Sequence, residues 1–367
     1  MPVSLTCTSC GKNQKDTTLY WRCPCGGLFD LVFEPAFHPK KLAGRQHNLW
    51  RYREALPVKN NRNIVSFGEG FTPLLEIGFG DKSAWIKQDQ LFPSGSYKDR
   101  GSTVLLSHLK ETGLEKILED SSGNAGCSIA AYSALAGIGC DVYVPANASP
   151  SKLAQIEAYG ARLHRISGSR EDVAAAALRA AEKTYYASHC WNPYFFHGTK
   201  TFAYEVCEQL GWKAPDTVVL PAGNGTLVIG AYIGFSELKN AGIIRKMPRI
   251  VGVQARNCNP ISTAWRKDLD YIPAIIKKPT LSEGIAAAAP VRGKQILDCI
   301  RKTGGEMIDV PEQTILPAFR ELAKKGYFIE LTSAAIISGL KIYMRKAGKK
   351  ELVVSIFTGH GLKNRST

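Results

Sequence analysis

The sequence lacks the features that would place the protein in a membrane or in an oxidising compartment. No apolar run reaches the roughly 18 residues that a membrane-spanning helix needs, and the residues after Met1 lack the basic and then apolar pattern of a secretion signal. The ten cysteines form no disulfide framework, because four lie in a cluster near the start and six are scattered. We therefore expect a cytoplasmic protein with no membrane partner and with reduced thiols.

Long basic blocks are also absent, although 47 lysines and arginines against 32 acidic residues give a formal net charge of +15. The basic residues are spread along the chain in short doublets such as Lys40-Lys41. Nucleic-acid binding usually requires them to cluster on one face, so we expect no nucleic-acid partner. The charge is better suited to attracting an anionic substrate and cofactor.

No internal repeat, low-complexity tract or coiled-coil pattern is present, and the 367 residues predict two or more domains. Strand-like and helical segments alternate along most of the chain, which is typical of parallel sheets covered by helices on both faces. The pattern predicts strands at 84–87, 117–120, 140–145, 162–165, 217–221, 250–254 and 352–357. It predicts helices after Lys98, from the loop at 121–126 through Ala136, over 151–159 and over 170–183.

Lys98 is the first candidate catalytic residue, within the segment Pro93-Ser94-Gly95-Ser96-Tyr97-Lys98-Asp99-Arg100-Gly101. A lysine just before a helix faces the positive end of the helix dipole. That field favours the neutral amine, which is the form that attacks carbonyl groups and makes Schiff bases. The alternative, for Lys98 taken alone, is a solvated loop lysine.

Polar loops after predicted strands supply further candidates, because ligands of parallel α/β sheets lie beyond the carboxyl ends of strands. Gly223-Asn224-Gly225-Thr226 can cradle a phosphate with backbone amides, or can simply form a tight turn. Ser121-Ser122-Gly123-Asn124 offers hydroxyl and amide groups just before a helix, where the same residues also serve as an N-cap. Thr358, directly after the last predicted strand, is the third candidate.

Four cysteines near the start have the spacing of a small zinc ribbon. They are Cys7 and Cys10, separated by two residues, and Cys23 and Cys25, separated by one. Four thiolates make a closed tetrahedral site, which is structural and not catalytic. The second pair has one intervening residue where two are usual, so the alternative is a ribbon that has lost its metal.

The segment around Lys98 resembles the Ser-Phe-Lys-Asp-Arg-Gly motif of threonine synthases, with Tyr97 in place of Phe. These are pyridoxal-phosphate (PLP) enzymes of the tryptophan-synthase-β fold, called fold type II. Other segments resemble the same family in order along nearly the whole chain. They are Gly68-Glu69-Gly70-Phe71-Thr72-Pro73-Leu74, Gly198-Thr199-Lys200-Thr201, Val253-Gln254-Ala255, Glu330-Leu331-Thr332-Ser333-Ala334 and the candidate loops above.

The resemblance implies a fold and a set of roles. It implies an α/β protein with two open, twisted, mainly parallel sheets, divided into a ribbon segment (1–35), a large PLP-binding domain (36–100 and 211–367) and a small mobile domain (101–210). It also implies a homodimer and a structural zinc. The implied roles are Lys98 as the Schiff-base lysine, Asn124 at the PLP 3-oxygen, Gly223, Asn224, Gly225 and Thr226 at the phosphate, Thr358 at the pyridine nitrogen, and Ser121, Ser122, Gly123 and Lys200 at the substrate.

Two departures from the family bear on the substrate. Ala125 stands where threonine synthases usually have Thr, and Phe195 stands where an arginine that holds the substrate phosphate is expected, in the segment that begins with His189. The leading prediction is a threonine-synthase-like lyase of amino-acid metabolism that converts O-phospho-L-homoserine and water to L-threonine and phosphate. The alternative is β-elimination or β-replacement on serine, threonine, phosphoserine or diaminopropionate. A non-catalytic binding protein of the same fold is the third reading.

Overall fold

The structure is a computed structural model, and it describes residues 3–16, 19–148 and 150–363. The described residues form two compact units, and the chain passes between them three times. The first unit takes its residues from Met1–Gly70 and Lys98–Gly198, and the second from Phe71–Tyr97 and Thr199–Thr367. The division into domains 1–35, 36–100 with 211–367, and 101–210 stays a prediction, and its outermost residues, 1–2 and 364–367, lie outside the described part.

The strands of the described part are numbered in chain order. They are β1 (Ser4–Cys7), β2 (Asn13–Lys15), β3 (Phe29–Val32), β4 (Leu74–Phe79), β5 (Lys82–Lys87), β6 (Lys116–Glu119), β7 (Gly139–Pro145), β8 (Arg162–Ile166), β9 (Tyr185–Tyr186), β10 (Thr217–Pro221), β11 (Arg249–Ala255), β12 (Glu306–Val310) and β13 (Val353–Ile356).

The α-helices are numbered in the same way. They are α1 (Asp99–Glu111), α2 (Asn124–Ala136), α3 (Pro150–Ala158), α4 (Arg170–Ala180), α5 (Pro193–Thr199), α6 (Thr201–Gln209), α7 (Thr226–Asn240), α8 (Pro260–Arg266), α9 (Gly293–Lys302), α10 (Ile315–Lys324) and α11 (Leu331–Met344). None of the helices in the described ranges has the length and hydrophobicity needed to cross a bilayer.

The first unit contains two sheets. Strands β1, β2 and β3 make a small antiparallel sheet in the order β2-β1-β3, which carries the cysteine cluster. Strands β6 to β9 make a four-stranded parallel sheet in the order β8-β7-β6-β9. Because β6 and β9 are parallel neighbours, the residues that follow Glu119 and Tyr186 leave the sheet at the same edge.

The second unit is built on one six-stranded sheet in the order β12-β11-β10-β13-β5-β4. All neighbouring pairs are parallel except β4 with β5, which form an antiparallel edge. The central strand β10 is buried along its whole length and reads as a continuous run of apolar and β-branched residues, as expected for a sheet covered on both faces. β10 and β13 are parallel neighbours, so the loops after Pro221 and Ile356 also meet at one edge.

The predicted α/β class with mainly parallel sheets is confirmed, and several helices and strands lie where the sequence predicts them. The strand predicted at 217–221 is β10, and the helix predicted to run through Ala136 is α2, which ends there because Gly137 adopts a left-handed φ of 74°. Helix α4 begins at Ser169, whose side chain forms a capping box with Asp172.

Candidate active site

Lys98 lies directly before α1, and its carbonyl oxygen accepts hydrogen bonds from the amides of Gly101 and Ser102, each at 3.0 Å. Its Nζ atom is 5.7 Å from the centroid of the Phe195 ring. That ring packs against Gly101 so closely that a side chain at position 101 would collide with it. The glycine of the lysine motif therefore allows a fully buried aromatic ring to form a wall beside the lysine.

The loop Ser121-Ser122-Gly123 connects β6 to α2, and Asn124 is the first residue of that helix. The Ser121 hydroxyl accepts a hydrogen bond from the amide of Gly123 at 3.2 Å, which tightens the turn. The loop also folds over Gly126, where a Cβ atom would collide with the carbonyl oxygen of Ser121. The N-terminus of α2 thus presents hydroxyl and amide groups together, as a carboxylate ligand would require.

A buried chain of three side chains follows the ends of β6 and β9. Oε1 of Glu119 lies 2.7 Å from Nδ1 of His189, and Nε2 of His189 lies 3.1 Å from Sγ of Cys190. All three residues are buried. The imidazole of His189 also meets the Phe195 ring in an edge-to-face contact, with 5.8 Å between the ring centroids. His189 is therefore held between a carboxyl group, a thiol and the same aromatic wall that Lys98 faces.

Burial moves each group of the Glu119-His189-Cys190 chain toward its uncharged form. It raises the pKa of the Glu119 carboxyl well above its usual value, and the neighbouring Asp120 carboxylate raises it further. Burial lowers the pKa of His189 well below its usual value, and the positive charge of Lys98 adds to this effect. Burial also raises the pKa of the Cys190 thiol. The side chains of Glu119, His189 and Cys190 thus form a hydrogen-bonded surface without charge.

In the second unit, the loop Gly223-Asn224-Gly225-Thr226 leads from β10 into the 15-residue helix α7. Gly225 has a left-handed φ of 70° and precedes Thr226, the first residue of the helix. The hydroxyl group of Thr226 lies 2.9 Å from the phenolic oxygen of Tyr97. Backbone amides at a helix N-terminus together with a hydroxyl group are the donor set that a phosphate ligand prefers.

Thr358 follows β13, at the same sheet edge as the loop after β10. Its hydroxyl group is buried, lies 2.8 Å from the Ser333 hydroxyl and donates to Oε1 of Glu330 at 2.9 Å. The Ser333 hydroxyl in turn accepts the amide of Thr358 at 2.8 Å. Thr358 is therefore a fixed neutral hydroxyl with a carboxyl group behind it.

Lys200 lies at the start of α6, and its side chain is fully buried. Its Nζ atom donates to Oε1 of Glu237 on α7 at 2.9 Å. Burial lowers the pKa of Lys200, and the Glu237 carboxylate opposes this shift. The structure therefore gives Lys200 a carboxylate partner on α7, and its predicted contact with the substrate stays a prediction.

The four ribbon cysteines converge. Their sulfur atoms all lie within 4.8 Å of one another, with 3.5 Å between the sulfurs of Cys7 and Cys25 and 3.7 Å between those of Cys10 and Cys23. A tetrahedral zinc ion with Zn–S bonds of about 2.3 Å needs sulfurs separated by about 3.8 Å. The amides of Ser9 and Cys10 also point at the Cys7 sulfur. The short second pair therefore still fits a zinc ion.

Comparison with known proteins identifies the family. The family model described as "Pyridoxal-phosphate dependent enzyme" matches residues 65–359. The threonine synthase of Methanocaldococcus jannaschii is 38% identical over 375 residues, which cover 98% of this chain and 92% of that protein. The threonine synthase of Methanosarcina acetivorans is 34% identical over 99% of this chain and 93% of that protein. The chain belongs to the threonine synthase family of pyridoxal-phosphate dependent enzymes.

Solved structures support the fold of this family member. The processed threonine deaminase isoform 2 of Solanum lycopersicum superposes with a TM-score of 0.70 and 20% identity, covering 89% of this chain and 86% of that one. Maize serine racemase gives a TM-score of 0.69 and 19% identity, covering 79% and 88%. At these identities the likeness concerns the fold alone. These structures confirm the predicted fold type, and the family model and the two threonine synthases confirm the predicted family and its pyridoxal-phosphate cofactor.

The residues present fit the cofactor of this family. The helix N-terminus at Thr226 suits its phosphate. The buried hydroxyl of Thr358, which here donates to Glu330, suits its ring nitrogen because a hydroxyl can rotate to donate to another acceptor. Lys98, whose Nζ atom lies beside the Phe195 ring, is the residue predicted to supply the amine. The roles of the individual residues remain predictions.

Sequence reasoning missed three features of the site. Tyr97 stands in place of the Phe of the family motif, and no sequence pattern predicts that its hydroxyl meets Thr226. The contact between Glu119 and His189 joins residues 70 positions apart, and no spacing rule connects them. Glu330 lies in a segment that resembled the family, which was a usable signal, but its contact with Thr358 was not predicted.

Proposed function

We propose that the protein is a pyridoxal-phosphate-dependent lyase that converts O-phospho-L-homoserine and water to L-threonine and phosphate. The observation that carries the proposal is the 38% identity to a threonine synthase over 98% of the chain, together with the presence of Lys98, Asn124 and Thr358 at the ends of the expected elements. The bound cofactor withdraws electrons from the substrate's α carbon and so makes its proton removable.

In this proposal the protein's own groups bind the polar groups of the cofactor and the carboxylate of the substrate. The amides and hydroxyl of Gly223-Asn224-Gly225-Thr226 hold the cofactor phosphate, and Asn124 holds its 3-oxygen. Ser121, Ser122 and the amide of Gly123 hold the substrate carboxylate at the N-terminus of α2, where the helix dipole favours an anion. Thr358, fixed by Ser333, faces the ring nitrogen with a neutral hydroxyl instead of a carboxylate.

Lys98 carries the protons. Its amine, which would hold the cofactor covalently at rest, would move the Cα proton and one Cβ proton in turn, because an amine accepts only one proton at a time. The Cγ–O bond to phosphate breaks, and the Cβ proton is placed on Cγ. The hydroxyl of water then bonds to Cβ, the Cα proton returns, and the remaining proton of water leaves with the phosphate. The wall formed by Phe195 limits the water that reaches the amine from this side.

A second candidate function is favoured by the residues beside Lys98. Phe195 is fully buried and offers no charge to a phosphate dianion, and His189 is an uncharged imidazole tied to Glu119. Burying a phosphate dianion without a cationic partner costs on the order of several kcal/mol of binding free energy. These contacts suit β-elimination or β-replacement on an unphosphorylated amino acid such as serine, threonine or diaminopropionate; the same alternative includes phosphoserine, which is smaller than O-phospho-L-homoserine.

One comparison tests both functions. The purified protein is incubated with O-phospho-L-homoserine and with L-serine, L-threonine and diaminopropionate, and the release of phosphate and ammonia is measured. Phosphate release with formation of threonine supports the first function, and ammonia release without it supports the second. A protein that binds pyridoxal phosphate but releases neither product would refute the first function and the β-elimination form of the second.

We further propose a structural zinc ion at Cys7, Cys10, Cys23 and Cys25, since their sulfurs have the separations of a tetrahedral site. The site has four protein ligands and leaves no position for a substrate. A cytoplasmic location and a homodimer are proposed on the resemblance to the family, and the partner is a small amino acid.

A further inference from the structure

Tyr97 connects both ends of the proposed cofactor site within the second unit. Its amide donates to the carbonyl oxygen of Thr358 at 3.0 Å, which lies at the ring end. Its phenolic oxygen lies 2.9 Å from Oγ1 of Thr226, which lies at the phosphate end. Only 8% of Tyr97 and 1% of Thr226 is exposed, so this hydrogen bond is formed away from bulk water.

The tyrosine hydroxyl is not needed to fill space. A phenyl ring at position 97 would occupy nearly the same volume, and burying a hydroxyl group lowers stability unless it finds a hydrogen-bond partner. The structure provides one partner in Thr226, whose carbonyl oxygen is separately held by the Thr199 hydroxyl at 2.7 Å. The first turn of α7 is thus fixed on its main chain by Thr199 and on its side chain by Tyr97.

We propose that Tyr97 is a cofactor-positioning residue, whose hydroxyl orients that of Thr226 so that Thr226 donates to the cofactor phosphate. This inference rests on the proposed function, because it takes the Gly223–Thr226 loop as the phosphate site. The phenol donates to Oγ1 of Thr226, and the hydrogen of Thr226 then points at the anion.

The direction of the hydrogen bonds from Tyr97 to Thr226 and from Thr226 to the phosphate follows from the number of donors and acceptors. Each hydroxyl has one hydrogen to donate, and a phosphate dianion has only acceptors. Thr226 can donate to the phosphate only if its hydrogen is not given to Tyr97, so Tyr97 must be the donor in the pair. Two hydroxyl groups linked by a hydrogen bond polarise each other. A hydrogen bond to a charged acceptor is also stronger than one between two neutral groups.

The variant Tyr97→Phe isolates the hydroxyl, because the amide that donates to Thr358 is unchanged. Equilibrium dialysis then gives the dissociation constants of two probes, pyridoxal phosphate and pyridoxal, which lacks the phosphate. We expect Tyr97→Phe to weaken binding of pyridoxal phosphate about 5- to 10-fold, as for loss of one hydrogen bond near a charge. Binding of pyridoxal should change less than about twofold.

A second variant and a double variant complete the test. Thr226→Val removes the hydroxyl that would touch the phosphate, and Thr226→Ser keeps it as a rescue. The effects of Tyr97→Phe and Thr226→Val should not add, since both remove the same donor. Additive effects, an equal loss for both probes, or unchanged binding of pyridoxal phosphate by Tyr97→Phe would each overturn the proposal.

The same measurements separate this inference from the function on which it rests. A wild-type protein that does not bind pyridoxal phosphate would refute the proposed function and the inference together. A wild-type protein that binds it tightly, with Tyr97→Phe equally tight, would refute only the role of Tyr97.

Discussion

Nδ1 of His189 lies 2.7 Å from Oε1 of Glu119, in a buried contact between the ends of two adjacent parallel strands. In the segment that begins with His189, the resemblance to threonine synthases implies an arginine that holds the substrate phosphate. This chain has there an imidazole with a carboxyl partner, close to the positive charge of Lys98. This pair gives the sharpest test of the substrate.

We expect His189→Asn to favour phosphorylated substrates. The amide is smaller than the imidazole and offers N–H donors, so the ratio of kcat/KM for O-phospho-L-homoserine to that for L-serine should rise about tenfold. Both values come from initial rates of phosphate and ammonia release. Cys190→Ser is the matched control, because a hydroxyl can replace the thiol at the 3.1 Å contact with His189. A ratio that stays constant, or that moves equally in the control, would contradict a role of His189 in selectivity.

Replacement of Lys98 tests the cofactor attachment. Lys98→Ala should abolish the near-visible absorbance of the covalently bound cofactor and reduce turnover by more than about a thousandfold. Lys110→Ala is the control, because Lys110 is an exposed lysine on the same helix α1. An unchanged absorbance spectrum in Lys98→Ala would show that another amine holds the cofactor.

Metal analysis tests the ribbon. We expect about one zinc ion per chain, and its loss in Cys23→Ser together with a lower melting temperature. Trp21 lies between the two cysteine pairs and meets Tyr186 and Trp191 edge-to-face, with ring centroids 5.1 and 5.2 Å apart. Removal of zinc by a chelator should therefore change tryptophan fluorescence. Cys299→Ser, outside the cluster, should keep the metal, and a wild-type protein without zinc would refute the site.

His108 predicts how stability depends on pH. It is buried on α1 and stacks on Tyr194 with ring centroids 3.6 Å apart. The pKa of His108 is lowered to about 3, mainly by burial; the Asp16 charge opposes this shift and the Lys59 charge adds to it. The unfolded chain takes up a proton below about pH 6.5, whereas the folded chain does so only near pH 3, so stability is lost as the pH falls.

The variant His108→Gln measures how much His108 contributes to the pH dependence of stability. Between about pH 6 and pH 4, His108 should contribute a fall in unfolding free energy of about 1.4 kcal/mol per pH unit. His108→Gln should remove this part of the slope, whereas the exposed His47→Gln should not. Denaturant titrations at several pH values give the slopes, and equal slopes for wild type and His108→Gln would refute the assignment.

Local signals were enough to predict many elements and not the order of the strands. The run at 217–221 is β-branched and buried along its length, and it became β10 with the same bounds. The strands β4 and β12 were missed, because Leu74–Phe79 is interrupted by Gly78 and Glu306–Val310 carries two acidic residues among three apolar ones. Their places depend on pairing with distant strands, which no local pattern encodes.

The candidate site shows the same contrast between residues that local motifs predict and contacts that they do not. Lys98 and the loops at Ser121, Gly223 and Thr358 were predicted because each belongs to a short motif next to a strand or helix end. The partners of those residues were not, because the contact between Tyr97 and Thr226 joins residues 129 positions apart. Only the folded chain brings such side chains together.

Gly126 restricts how the substrate range of this protein can be engineered. Its φ is not left-handed, yet any side chain there would strike the carbonyl oxygen of Ser121. Randomised libraries that include position 126 would therefore yield mostly inactive clones with a displaced turn at 121–123. Diversity is better introduced at its neighbour Ala125, which already carries a Cβ atom and stands where the family usually has Thr.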